Sequence, residues 1–201
     1  IFMSKRIHLF VPIFLVFCIL FSFLSPMIVT SENISQKVFR LHILANSDSA
    51  EDQNLKLGVR DYVLQKSASI FEDADSLEQA IEKANSNIDE FEKYAKQAIE
   101  KLGYDYPVSV KVDKEYFDTR TYDNFYMPAG VYNCLKIIIG EGKGHNWWCV
   151  MYPSVCLSGC TDDFDSVLTD EEKEFITSSK FVPRFKIVEF YEYVKYKISE
   201  A

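Results

Sequence analysis

The sequence contains little glycine and proline, with 7 Gly and 6 Pro among its 201 residues. Collagen-like and low-complexity chains need much more of both, so these classes are excluded. Hydrophobic residues make up 48% of the chain and charged residues 26%, which is the composition of a globular protein. A chain of this length has room for one domain of ordinary size and a short appendage.

Positive charge is also scarce, because the chain has 22 Lys and Arg residues against 30 Asp and Glu residues, a net charge of −8. No acidic residue precedes Glu32, whereas Lys5 and Arg6 do, so residues 32–201 hold 20 basic and 30 acidic residues, a net charge of −10. A body this acidic repels phosphate backbones. We therefore expect no nucleic acid among its partners.

The amino-terminal segment lacks charge altogether between Ile7 and Ser31. A short basic start at residues 3–6 precedes this apolar run, and Pro12 and Pro26 leave a stretch of 13 residues between them. The pattern is typical of a secretory signal peptide, and a retained membrane anchor of about 20 apolar residues is the alternative.

We therefore expect residues 1–31 to be a signal peptide or an N-terminal membrane anchor. If the segment is retained, residues 7–31 would contact the membrane. In either case the basic start stays in the cytoplasm by the positive-inside rule, which places residues 32–201 outside it.

The chain has 5 cysteines, and one of them, Cys18, lies in the apolar run. The exported part holds the other four: Cys134, Cys149, Cys156 and Cys160. Outside the cytoplasm these residues can form disulfides, with three connectivities open, or they can stay free thiols. Zinc is the weaker alternative, because Cys156 and Cys160 have ligand spacing but no matching second pair follows. We expect no metal and no cofactor.

The exported body begins with a strand pattern at residues 38–44, where β-branched and aromatic residues alternate with others. Ser49 and Asp52 then have the spacing of a capping box, in which Ser49 accepts a hydrogen bond from the Asp52 amide. The helix that follows is predicted to bury one stripe and to expose a row of polar residues. The stripe is Leu55, Val59, Tyr62 and Val63, and the exposed row is Asp52, Lys56 and Arg60.

A second helix is predicted over residues 77–102, a span of 26 residues in which apolar positions recur at spacings of four and three. Asp75 or Ser76 can cap its start, and Gly103 can end it. The same spacing occurs in coiled coils, so a coiled-coil arm on a membrane-tethered scaffold is an alternative. The Ala residues of the seam instead favour close packing against a sheet. The seam is Leu77, Ile81, Ala84, Ile88, Phe91, Ala95, Ala98 and Leu102.

Strand patterns dominate the middle of the chain, and strands joined by short turns should pair antiparallel. The predicted strands are residues 108–112, the aromatic-rich segment 115–126, residues 132–139 and residues 147–152. A second capping box at Thr169–Glu172 and a helix after Pro183 follow.

The sequence therefore predicts a single α+β domain at residues 32–201. We expect a mostly antiparallel sheet of about 4–5 strands packed against two long helices, in the order β-α-α-β-β-β-β-α, after the apolar amino-terminal helix.

The loop from Gly140 to Asn146 is rich in glycine, which allows tight turning and close approach to a partner. It is not a phosphate-binding loop, because it lacks the Gly-Lys-Ser/Thr motif and leads into a strand. Two interpretations stay open, a hairpin turn and a recognition loop. Trp147 and Trp148 follow it and should point to opposite faces of a strand, and an exposed Trp is a common interface anchor.

An extracytoplasmic thiol hydrolase is the alternative function. Cys149 could act as a nucleophile with His145 or His42 as its base, if their side chains come within hydrogen-bond reach. No cysteine-protease signature surrounds Cys149, and the carboxylate pairs Asp162–Asp163 and Glu171–Glu172 fit loop and helix-start positions. We therefore expect no catalytic residues and no enzyme.

Three blocks of the sequence resemble one protein family. The first is LHILANSDSAEDQ at residues 41–53, which continues through Asp61. The second comprises PAGVYNCL at residues 128–135 and GEGKGHNWWCVMYP at residues 140–153, and the third is RFKIVE at residues 184–189. On these blocks the chain resembles the stage II sporulation protein R family of endospore-forming Firmicutes, over most of residues 38–190.

The resemblance implies a signalling protein rather than a catalyst. Members of this family are made in the forespore and exported into the space between the forespore and mother-cell membranes. There they activate a membrane-embedded aspartic peptidase, which processes the precursor of sporulation sigma factor E. The resemblance thus implies this peptidase as partner and the intermembrane space as location.

We predict that the partner contacts one segment of the exported domain, and a second segment is the next choice. The first is the glycine-rich loop with the Trp pair, namely Glu141, Gly142, Lys143, Gly144, His145, Asn146, Trp147 and Trp148. The second is Asn46, Ser47 and Asp48.

Overall fold

The computed structural model describes residues 2–122, 124–153, 164, 167–178 and 182–199. Its helices are α1 (Phe2–Ser35), α2 (Ala50–Phe71), α3 (Leu77–Ser86), α4 (Ile88–Lys101), α5 (Asp170–Thr177) and α6 (Val182–Ser199). Its strands are β1 (Phe39–Leu44), β2 (Val108–Phe117), β3 (Arg120–Thr121), β4 (Tyr126–Met127), β5 (Gly130–Ile139) and β6 (Asn146–Tyr152). The predicted α+β class and single domain are confirmed.

The main sheet has four strands in the order β2-β5-β1-β6, and β3 pairs with β4 in a separate ribbon. β1 runs parallel to β5, whereas β1 with β6 and β2 with β5 are antiparallel. The sheet is therefore mixed, and the expectation of antiparallel pairing is wrong for β1 and β5. Residues 39–43 of β1 are all buried, which is the pattern of a strand covered on both faces and accounts for its central position.

The connection between β5 and β6 is not a hairpin, because β1 lies between these two strands. The hairpin interpretation of the Gly140–Asn146 loop is therefore wrong. The loop instead crosses the end of β1 to reach the far side of the sheet.

Helices α2, α3 and α4 cover one face of the sheet. Phe39, Leu41 and Ile43 point from β1 into this core, where they meet the predicted stripe of α2. In that stripe Leu55, Val59 and Val63 are buried and Tyr62 is partly buried.

The helix predicted over residues 77–102 is broken in two at Asn87. This residue has φ −118° and ψ 19°, outside helical geometry, and its side-chain amide donates to the Lys83 carbonyl at 2.8 Å. Leu102, the last residue of the predicted seam, is 49% exposed, so the prediction is wrong for its end. The other seam residues are buried or partly buried, and Ala84, Phe91 and Ala95 are fully buried against the sheet. These seam residues are thus not exposed as a coiled-coil arm would require.

The end of α1 packs on the opposite face of the sheet together with α5 and α6. Met27 and Ile34 of α1 lie in a second buried cluster with Tyr132 of β5 and Val188 of α6. Ser31 Oγ donates to the Ala129 carbonyl at 2.9 Å. Helix α1 ends at Ser35 and so extends past residue 31, at which the predicted signal or anchor segment ends.

Within the described residues, none of the helices combines the length and the apolar character needed to cross a bilayer.

Side-chain caps begin three of the helices, as the sequence predicts. Ser49 accepts from the Asp52 amide at 3.1 Å, Ser76 caps α3, and Thr169 forms a complete capping box with Glu172 at α5. The three predicted caps are confirmed. They could be predicted because each depends only on residues close together in the sequence.

Candidate functional site

The two predicted contact segments meet at one end of the sheet. Residues 46–48 follow β1 and residues 140–146 follow β5, and these strands are parallel neighbours. Their carboxyl ends therefore lie side by side, at the kind of edge where ligand sites are commonly built in sheets with parallel strands. We call residues 45–49 together with residues 140–146 the loop pair.

Backbone hydrogen bonds join the two halves of the loop pair. The Gly144 amide donates to the Ala45 carbonyl at 2.9 Å, and the Lys143 amide donates to the Asn46 carbonyl at 3.2 Å. The chains approach so closely that a Cβ on Gly144 would lie under 3.0 Å from the Ser47 carbonyl oxygen. Glycine is therefore required at Gly144 for the two segments to dock.

Side chains of the first segment also accept hydrogen bonds from the second. Asn46 Oδ1 accepts from the Glu141 amide at 3.0 Å, and Asp48 Oδ1 accepts from the His145 amide at 2.6 Å. The His145 amide hydrogen bond is the main cause that lowers the pKa of Asp48. Gly140 has φ +59°, a left-handed conformation that brings the loop onto the Asn46 side chain.

Two charged side chains of α2 support the loop pair from beneath. Asp52 Oδ2 accepts from Asn46 Nδ2 at 2.9 Å and from Ser47 Oγ at 2.5 Å. The Ser47 hydroxyl is the main cause that lowers the pKa of Asp52. Lys56 Nζ donates to the His145 carbonyl at 2.9 Å, and burial lowers the pKa of Lys56.

The structure corrects the prediction that Asp52 and Lys56 lie on the solvent-exposed side of α2. Each is 4% exposed, because the loop pair covers the first turns of this helix. Only Arg60, further along the same row, is partly exposed, at 21% for its side chain. The helical periodicity gave no sign of this burial, since the covering segment lies about ninety residues away in the sequence.

The outer surface of the loop pair presents charges of both signs. The side chains of Asp48, Glu141, Lys143 and His145 are between 56% and 78% exposed. Lys143 Nζ pairs with Glu141 Oε2 at 2.7 Å, and His145 Nδ1 contacts Asp48 Oδ1. A backbone held firmly at its base thus displays a charged surface of fixed shape.

Trp147 and Trp148 point to opposite faces of β6, as predicted, and both are half-buried. The Arg60 guanidinium lies 4.4 Å from the centre of the Trp147 ring. Trp148 stacks on His42 with ring centroids 3.8 Å apart. Each Trp therefore contributes to packing and leaves only part of its surface for a partner.

The predicted cysteine sites have different surroundings. Cys149 is disulfide-bonded, whereas Cys134 is a free, buried thiol whose pKa is raised by burial. Cys156 and Cys160 lie outside the described residues. The sulfur that the hydrolase alternative needs is thus occupied in a disulfide, and no cluster of metal-ligating side chains occurs in the described part of the chain.

A buried charged cluster on the second face of the sheet was not predicted from the sequence. Glu115 of β2 lies between His42 of β1 and Lys136 of β5, with its Oε2 at 2.5 Å from His42 Nδ1. Burial acts to raise the pKa of Glu115, but hydrogen bonds and charge from His42 and Lys136 outweigh it and lower the pKa to about 2. Lys136 within the apolar run of β5 was the one sequence signal for this cluster.

Arg40 of β1 is also fully buried on this face. Its Nε donates to the Cys149 carbonyl at 3.0 Å, and its Nη2 donates to the Tyr122 hydroxyl at 2.9 Å. The guanidinium also lies 4.5 Å from the centre of the Phe117 ring. These contacts offset part of the loss of water around the buried charge, although Nη1 has no hydrogen-bond partner among the described residues.

A mixed sheet that holds a charged loop pair at the ends of its parallel strands defines an α+β domain. The model of the family described as stage II sporulation protein R matches residues 35–162, and the chain belongs to this family. The match includes both halves of the loop pair and ends before α5 and α6.

One similar protein is stage II sporulation protein R of Bacillus subtilis (strain 168), which is 39% identical over 141 residues. The aligned region covers 70% of this chain and 62% of that protein. The chain thus spans less than two thirds of the length of this curated relative. No solved structure matches the chain.

Proposed function

We propose that the chain is an exported sporulation signal that activates a membrane-embedded peptidase, which in turn processes the precursor of sporulation sigma factor E. Family membership supports a role in sporulation signalling rather than catalysis. The apolar amino-terminal segment supports export from the forespore into the intermembrane space, either as a cleaved signal or as a retained anchor.

The observation that carries this proposal is the loop pair. Both of its halves lie inside the region that matches the family. At its base Asp52 accepts hydrogen bonds from the first segment and Lys56 donates one to the second, while its outer side chains are exposed. A preorganised loop binds with a smaller entropy cost than a mobile one, which favours its use as a recognition surface.

Activation follows if the domain binds the active state of the peptidase more tightly than the inactive state. A preference of about 2.7 kcal/mol changes the ratio of the two states roughly a hundredfold. The exposed Lys143 and Glu141 charges would select the orientation of the complex, because charges at the rim of an interface guide association.

The test is reconstitution in lipid vesicles that hold the peptidase and its precursor substrate, with and without the full chain. We expect cleavage of the precursor to need the chain. Lys143→Glu should reduce the rate at least tenfold, since it reverses an exposed charge without changing the core.

The matched control is Lys93→Glu on α4. Lys93 belongs to a comparable surface ion pair, with Glu90 at 3.2 Å, and its reversal should leave cleavage unchanged. Equal rates for the Lys143 variant and the unmodified chain would remove the loop pair as the contact surface. Equal cleavage with and without the chain would contradict the proposed function itself.

A further inference from the structure

The last turns of α1 pack into the domain that follows them. Met27, Ser31 and Ile34 are each at most 4% exposed, and their spacing of four and three places them on one helix face. Met27 and Ile34 belong to the buried cluster on the second face of the sheet. The opposite side of these turns faces solvent, since Val29 is 52% exposed. Residues 27–35 are therefore structural residues of the domain.

Ser31 adds a buried hydrogen bond to this packing. Its Oγ donates to the Ala129 carbonyl at 2.9 Å, immediately before β5 begins. Loss of this hydroxyl would take the donor away from a buried carbonyl, and a buried acceptor without a partner is destabilising. The contact thus ties the end of α1 to the sheet through a polar group as well as through apolar side chains.

The same stretch contains the best candidate for removal of a leader by a signal peptidase. This enzyme cuts after two small residues that are separated by one position. No two small residues of the uncharged run have this separation; they are Cys18, Ser22, Ser25, Thr30 and Ser31. Near the carboxyl end of the run the closest match is Val-Thr-Ser at residues 29–31, with Val in the first position.

A cut after Ser31 would take this packing apart. It would remove Met27 and the Ser31 hydroxyl together, and only residues 32–35 of α1 would be left. Four residues make about one helical turn, which is not stable by itself in water. Ile34, which is fully buried, lies on that turn, so its position in the cluster would be lost as well.

We propose that the exported chain keeps its amino-terminal segment, uncut, as part of the folded domain. This inference rests on the proposed function, because only an exported chain meets a signal peptidase. The family match begins at residue 35, so the buried turns of α1 lie outside the part of the chain that it describes. The active signal is then the domain joined to its apolar segment, and not a released domain of residues 32–201.

The first test determines the amino terminus of the exported product. The full chain with a carboxyl-terminal tag is produced in Bacillus subtilis, and a biotin reagent that does not cross membranes labels exported molecules on intact protoplasts. The captured chains are analysed by mass spectrometry, and a secreted protein with a cleaved signal peptide, made in the same cells, is the control for processing. We expect the exported chain to be uncut. A product that begins at Glu32, or at any other residue after Ile7, would overturn the inference.

This readout does not involve the peptidase that the chain is proposed to activate. Chains that are labelled and cut would overturn the present inference and leave the proposed function standing. Chains that the reagent never labels would contradict the proposed export and this inference with it.

The second test measures the packing in the full chain with two substitutions on the same helix. Met27→Ala removes a buried side chain, so it should raise the equilibrium constant for unfolding in urea roughly tenfold or more. Val29→Ala is the matched control on the exposed side and should change this constant by less than about twofold. Unfolding is followed in detergent micelles by Trp fluorescence, because Trp148 packs against the same cluster. Equal constants for the two variants would overturn the inference.

Discussion

The partly buried charge of Glu115 should contribute a large and pH-dependent part of the stability. Its side chain is 18% exposed and contacts both His42 and Lys136, so solvent screens these interactions only partly. A pKa that falls from the ordinary 4.5 to about 2 on folding corresponds to roughly 3 kcal/mol of unfolding free energy. Glu115→Gln, which keeps the shape and removes the charge, should therefore lose about 3 kcal/mol at pH 7.

The direction of the pH dependence follows from the sign of this pKa change. The folded pKa of Glu115 is lower than the unfolded one, so the stabilisation is fully present above pH 4.5 and is lost as the pH falls towards 2. At pH 3 the difference between the two proteins should shrink to about 1 kcal/mol. The assay is urea unfolding of the full chain in detergent micelles, followed by Trp fluorescence, because Trp148 stacks directly on His42.

Asp113→Asn on the same strand is the control for this experiment. Asp113 pairs with Lys111 at the surface, where both side chains are more than a third exposed, and exposed pairs contribute about 0–1 kcal/mol. The reasoning is refuted if Glu115→Gln costs no more than Asp113→Asn at pH 7, or if its cost is the same at pH 3.

Two further predictions concern the loop pair. Gly144→Ala places a Cβ under 3.0 Å from the Ser47 carbonyl oxygen, so it should cost about 1–3 kcal/mol in urea unfolding and abolish the proposed activation of the peptidase. An unchanged unfolding midpoint would show that the segments do not dock so closely. Lys56→Met removes the donor to the His145 carbonyl, so hydrogen exchange of the Gly144 and His145 amides should accelerate at least tenfold, while the amides of α4 exchange as before. Equal acceleration in α4 would indicate global unfolding instead.

Features determined by neighbouring residues could be predicted from the sequence. The cap side chains of Ser49, Ser76 and Thr169 each accept from the backbone amide three residues further on. The burial of most of the α2 stripe and of most of the 77–102 seam follows from helical periodicity, although Leu102 at the end of the seam is exposed. Residues in both halves of the loop pair could be named from the sequence as candidate contact residues. Their contact with each other could not be predicted.

Features determined by distant pairing could not be predicted. The insertion of β1 between β5 and β6 is a choice between strands about ninety residues apart, and short connections alone favour a hairpin. The burial of Asp52 and Lys56 follows from this strand order, because the loop from β5 to β6 then crosses the end of β1 and covers the start of α2. The break at Asn87 has a more local cause, since its side chain bonds the Lys83 carbonyl and ends the first helix.

Arg40 and His42 of β1 connect the cluster on the second face to the loop pair. The parallel pairing sets Leu44 opposite Ile138, which places the segment after β1 beside the segment after β5. A shift of one residue would turn Arg40 and His42 towards the apolar face that α2 and α4 cover, where their polar partners are absent. Arg40 and His42 therefore select the register, and the register in turn aligns Asn46 with the glycine-rich loop. Substitutions in these two buried residues should therefore disturb the contact between Asn46 and the glycine-rich loop, although neither side chain reaches the surface of the loop pair.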